Sequence, residues 1–170
     1  STNRNSVQIW TSVGSRFHKP AERTSLELDF EKYARGEKVL GWLDQKLILR
    51  SHDGTALEAA HAFIRELHRR IHKAGLPIGH LKFLVDDGRG IMKYSYTTIS
   101  GSGPFPANDP ERSDHVELLV NARVQADPEL IDELVRASLS TTLGQRAVQA
   151  TVETSRAFQP GLPTPVHRMA

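Results

Sequence analysis

This sequence predicts an α+β domain: a two-layer ferredoxin-like plait with helices on one face of a mainly antiparallel sheet. Three observations lead there. Between Val39 and Phe158 the elements run strand, helix, three strands, helix, strand. The stretch Val116–Val124 alternates apolar and polar residues, so it buries one face only. Both helical stretches carry a single apolar stripe. One-sided strands and one-sided helices bury each other as two layers. Two strand–helix–strand halves joined by extra hairpin strands resemble the plait. That fold hosts many unrelated functions, so function has to be argued from a site.

Residues 1–25 form a polar arm rich in Ser, Thr, Asn and Arg, with isolated Ile9, Trp10 and Phe17 as anchoring contacts. The domain itself is expected over residues 26–158. Leu26, Leu28 and Phe30 alternate as a short strand, and Val39–Arg50 holds the next. Thr55 and Glu58 have the spacing of a capping box, which starts the first helix. Leu57, Ala60, Phe63, Ile64, Leu67, Ile71 and Ala74 then share one face, and Gly75 with Pro77 stops the helix. Ile78–Val85 and Ile91–Ile99 form a hairpin around the turn Asp86–Gly90. Ser100–Ser113, with its prolines and glycines, reads as a mobile loop.

Asp127-Pro128-Glu129 opens the second helix, with Asp127 as N-cap and Pro128 in the first turn. Leu130, Ile131, Leu134, Val135 and Ser138 make its inner face, and Gly144 ends it. Ala147–Phe158 is the last strand. Residues 159–170 form an extended, proline-containing tail.

With 170 residues, 38% hydrophobic and 25% charged, the chain suits one globular domain with a real core. No apolar run approaches the roughly 18 residues of a membrane span, so no membrane partner is expected. The absence of cysteine excludes disulfides, thiolate metal sites and a cysteine nucleophile, and fits a reducing cytoplasm. A net charge of +2 is too small to imply nucleic acid by itself. A start at Ser1 fits a processed chain or a domain cut from a longer protein.

His61, His68 and His72 fall within about 40° of one another on the first helix, beside its apolar stripe. His68 and His72 have the i, i+4 spacing that lets two imidazoles meet one metal ion, zinc being the natural choice, with Glu58 as an oxygen ligand. Arg65 stands in the gap and opposes a cation there. The structural alternative is a polar flank of half-buried histidines at the core's edge.

On the strands, Lys46, Arg50, His80, Lys82, His115, Asn121 and Arg123 are placed on the face away from the helices. Tyr94 and Tyr96 join that face or the core, as the hairpin register decides. An open sheet with basic and aromatic groups can stack single-stranded RNA, although the Gly–aromatic–Gly motif of such plaits is absent. The Ser100–Pro106 stretch is not a phosphate loop, because no lysine and helix follow its glycines. Asp86 and Asp87 read as solvated turn formers. No Gly-x-Ser-x-Gly elbow supports a Ser–His–Asp set.

Thr55-Ala-Leu-Glu58, the strand Gly79-His80-Leu81-Lys82-Phe83-Leu84, and Val116–Val124 followed by Asp127-Pro128-Glu129-Leu130 keep a distinctive order over residues 39–143. In that order the chain resembles the C-terminal accessory domain of the CobW-type GTPases, a group associated with metal delivery. The family's GTPase half, with its Walker lysine and cysteine-based metal motif, is absent, so no catalytic or metal residue carries over. The resemblance implies a partner-binding domain.

The function expected from these residues is a non-catalytic protein-interaction or assembly domain. It docks another protein, or a second copy of itself, through its open sheet face or edge strands. Arg50, Lys82 and Arg123 are the charged contacts, with Tyr94 and Tyr96 as aromatic ones. The alternatives are a metal-binding or metal-delivery domain using His68, His72 and Glu58, and single-stranded RNA binding across the sheet.

Overall fold

The clean alternation of Val116–Val124 belongs to the central strand of the sheet. The structure, a computed structural model, describes residues 40–98, 104–144 and 146–161. Its elements are β1 (Gly41–Ser51), α1 (Ala56–Lys73), β2 (Ile78–Asp86), β3 (Ile91–Tyr96), β4 (His115–Val124), α2 (Pro128–Leu143) and β5 (Val148–Phe158). The expected order of elements from β1 to β5 is therefore present. The short strand expected at Leu26–Phe30, the whole N-terminal arm, and the tail beyond residue 161 lie outside the described residues.

The strands form one antiparallel sheet in the order β3-β2-β4-β1-β5. Alternation sends Leu43, Leu47 and Leu49 of β1, Leu81, Phe83 and Val85 of β2, and Val116, Leu118, Val120 and Ala122 of β4 to one face. The helices cover that face. From α1 come Leu57, Ala60, Phe63, Ile64, Leu67 and Ile71, all buried, and from α2 come Ile131 and Val135. Phe63 meets Phe83 edge to face, with ring centroids 6.4 Å apart.

Helix punctuation follows the sequence at one end and departs from it at the other. Gly75 takes φ +68°. Its N–H donates to His72 O and the Leu76 N–H to Ile71 O, a Schellman arrangement. The capping box does not form. The Thr55 hydroxyl turns back to donate to Asp53 Oδ1 at 2.6 Å, and Glu58 pairs with Arg146 at 3.0 Å. The orphan Ala56 N–H is instead satisfied by Ser113 O and Ser51 Oγ, groups brought by the neighbouring strands. Asp127 likewise makes no side-chain cap bond, while its carbonyl accepts from Ile131. Leu130, expected inside, is exposed, because Ile131, Val135, Ser138 and Thr142 define the buried stripe one position further on.

Gly41 sits where β1 begins, against the turn that enters α2. A Cβ there would collide with the Ala126 carbonyl oxygen and lie 2.8 Å from Ile131 Cδ1. Gly41→Ala is expected to destabilise the fold by about 1–3 kcal/mol, as overpacking does. Gly90→Ala, which meets open space at an unstrained φ, should stay within about 0.5 kcal/mol of the parent. Urea midpoints of the two variants check this; equal midpoints would mean that the β1–α2 junction yields freely.

Candidate functional site

Two surfaces carry the chemistry-bearing side chains. The first is the face of the sheet away from the helices. The register sets Lys82 opposite Asn121 and Asn121 opposite Asp44, and it sets His80 opposite Arg123 and Arg123 opposite Trp42. These rows are linked. His80 Nε2 bonds to Asn121 Oδ1, and Asn121 Nδ2 donates to the Asp44 carboxylate, a chain of polar contacts spanning β2, β4 and β1. The Arg123 guanidinium lies 3.6 Å from the centre of the Trp42 ring, and Phe158 of β5 packs on that ring at 5.5 Å. Lys46 bridges Glu117 at 3.0 Å and Glu153 at 2.9 Å; hydrogen bonds to Glu153 and Glu117 raise its pKa.

Next to the Lys82–Asn121–Asp44 row, on its Glu117 side, lies an apolar patch. Leu84 and Leu119 face each other across β2 and β4, and Leu119 is 43% exposed. Together with Lys82, Lys93, Ser95 and Asn121 they line a shallow depression of about 420 Å³. Of the expected contact residues, Arg50 and Lys82 are exposed on this face, and Arg123 is half-buried against Trp42. Arg123 therefore helps hold the face together. Tyr94 and Tyr96 are not on it. Their partners in register are Phe83 and Leu81, so both rings point toward the helices.

The second surface is the seam between α1 and the β2–β3 hairpin, crossed by the connection that leads to β4. His61, expected beside the apolar stripe, is inside it at 2% exposure. One ring nitrogen, Nδ1, donates to Ala107 O at 3.1 Å, and the other receives the Tyr94 hydroxyl at 3.4 Å. Burial, with Arg65 nearby, pushes the His61 pKa down and keeps the ring neutral. Arg65 donates to Pro106 O at 3.0 Å and Ala107 O at 2.9 Å, while the Tyr96 hydroxyl donates to Pro104 O at 3.3 Å. The described part of the supposed mobile loop is thus fastened by three side chains. Burial drives the Tyr96 pKa up to about 12, so it stays a hydroxyl donor.

The turn between β2 and β3 is also more structured than its sequence implies. Asp87, expected as a solvated turn former, is nearly buried in its side chain and pairs with Arg89 at 2.5 Å, while Arg89 reaches Glu111 at 2.6 Å. Burial alone would raise the Asp87 pKa; the hydrogen bonds from Arg89 and the turn outweigh it and hold it low.

His68 and His72 do lie together, their rings stacked with centroids 6.4 Å apart. His68 also packs on Tyr96 and Phe105, each at 4.9 Å. Arg65, Arg69 and Lys73 line the same crevice. Glu58 is engaged with Arg146. Among the described residues no group of three or more His, Cys, Asp or Glu side chains could hold a metal ion, and no helix is long and apolar enough to cross a membrane.

In comparisons with known proteins, no family model, no curated protein and no solved structure matches the chain. Sequence reasoning missed the Asp44–Asn121–His80 chain and the Trp42–Arg123–Phe158 stack. Each member sits at an outward strand position, but which residues oppose one another depends on a register the sequence does not display.

The buried neutral His61 makes stability pH-dependent. Its folded pKa lies below the ordinary 6.5. Above that value both states are neutral and the fold has its full stability. As pH falls through it, the unfolded chain takes up a proton first and stability is lost. His68, held low by burial and by His72, adds to the same slope. The urea midpoint is expected to drop between about pH 7.5 and about pH 5.5, and to drop less in His61→Gln. An unchanged slope in that variant would remove His61 as the cause.

Proposed function

We propose that this chain is a non-catalytic protein-interaction domain that docks a partner through the open face of its sheet. The observation that carries the reading is Leu119, an exposed leucine at the centre of the central strand, facing Leu84 and flanked by Lys82 and Lys93. An apolar centre with a charged rim is the anatomy of a binding patch. The partner this chemistry fits presents an apolar side chain to the Leu84–Leu119 depression and acidic groups to Lys82, Lys93 and Arg50.

We read the strands β5-β1-β4-β2 with the two crossover helices as a ferredoxin-like plait, extended at one edge by β3. The likeness in element order to the CobW accessory domain implies the same kind of role. The Trp42–Arg123–Phe158 stack and the Asp44–Asn121–His80 chain favour a stiff surface, which lowers the ordering cost of binding. With Tyr94 and Tyr96 turned to the helices, neither ring can stack a base on the open face.

Leu119→Asp tests the proposal. The side chain points away from the core and is 43% exposed, so the substitution should cost only about 1 kcal/mol, the span of strand propensity, and a thermal melt should show a folded protein. A partner recovered by affinity purification and remeasured with pure components should bind at least about tenfold more weakly to Leu119→Asp, the loss of a central contact. Arg136→Asp, an exposed position on α2 across the sheet from the open face, should bind as the parent does. Undiminished binding by Leu119→Asp, or equal losses in both variants, would overturn the assignment of the face.

A further inference from the structure

The outer flank of α1 carries a second candidate surface, on the helix side and separate from the docking face. Arg65, Arg69 and Lys73 succeed one another at every fourth residue, with His68 and His72 alongside. Facing them is Phe105, from the connection between β3 and β4. These six side chains line an open trough of about 610 Å³ with no carboxylate in its lining. Glu66, on the same helix, is occupied by Arg69 and Arg70 at 2.7 Å. Lys73 is exposed and has no ion-pair partner among the described residues. A row of cations with so little local compensation attracts an anion and repels a metal ion.

Phe105 narrows the class of anion. Its ring stacks on Tyr96 at 5.1 Å and is still 40% exposed. Tyr96 is fully buried beneath it, so the solvent share lies on the side away from Tyr96. The backbone on both sides of the ring is anchored: Pro104 O by Tyr96, and Pro106 O and Ala107 O by Arg65. A large apolar ring held in place beside a cationic ledge, in a crevice sized for a small molecule, suits a ligand with a flat ring at one end and several negative charges at the other.

We propose that this crevice binds a nucleoside polyphosphate, its phosphates on Arg69, Lys73 and His72 and its base against Phe105. Arginine and lysine supply charge-assisted hydrogen bonds to phosphate oxygens, and an aromatic side chain accepts the face of any base. The site lies on α1 and on the connection that crosses it, so ligand binding does not depend on the open face of the sheet.

The test is calorimetric titration of the full chain with ATP, inorganic tripolyphosphate and adenosine, without added metal. Saturable ATP binding is expected, with Lys73→Glu weaker by about tenfold or more. Phe105→Leu, which keeps an apolar side chain and removes the ring, should weaken ATP by about fivefold and leave tripolyphosphate unchanged. Thermal melts of both variants establish that they are folded. Arg136→Glu, an exposed charge on α2, should bind ATP as the parent does. Three results would overturn the proposal: no saturable ATP binding, equal losses in Lys73→Glu and Arg136→Glu, or ATP and tripolyphosphate bound alike with no effect of Phe105→Leu.

Discussion

The apolar stripe of α1 lying across β2, β4 and β1 is the contact on which the rest of the molecule depends. Phe63, Ile64, Leu67 and Ile71 are fully buried there against Leu81, Leu118 and Leu47. Burying each such side chain is worth about 1.5–3 kcal/mol, far more than any single polar contact on the surface. Because the stripe is one-sided, the helix commits one face of the sheet to the core and leaves the other to different work. The same docking puts the polar flank of α1 beside the β2–β3 hairpin, where His61 and Arg65 reach the connection to β4. A helix rotated by one position would lose both the core and those anchors.

Electrostatics divides the two surfaces. Part of the open face is internally engaged: Lys46 pairs with Glu117 and Glu153, and the Asp44 carboxylate accepts from the Asn121 amide. Exposed pairs of this kind add little stability, but they hold side chains in set positions. On the flank of α1 Glu66 pairs with Arg69 and Arg70, while Arg65 donates to backbone carbonyls and Lys73 has no ion-pair partner among the described residues, so the local field stays positive. One face is arranged for shape and the other for charge. That difference keeps the proposed docking face and the proposed anion site from competing for the same residues.

The fifth strand is an exposed edge with an interrupted register. β5 is eleven residues long, and only Val148 is buried. A long exposed edge strand invites another strand to pair with it. Here the register with β1 shifts between Lys46 and Leu47, and Glu153 is drawn over the sheet to Lys46. A bulge carrying a charge interrupts the regular alternation that a second strand would need. The neighbouring open face keeps a regular register and an apolar centre, which is why the proposed docking is assigned to it rather than to the edge.

By itself the sequence determined the elements, their order and the inward residues of α1 and β4, because hydrophobic period and glycine–proline punctuation are local properties. Gly75 is a clear instance: a left-handed helix stop can be read from one residue and its neighbours. It also marked His68 and His72 as adjacent and Arg50 and Lys82 as outward. Only the tertiary structure decided what those residues face. Hairpin register turned Tyr94 and Tyr96 toward the helices, and a tertiary partner, Arg146, took Glu58 out of the expected capping box. The packed connection over α1 buried His61 and set Phe105 beside the basic flank. These outcomes depend on contacts between segments far apart in the chain, and periodicity within a segment carries no record of them.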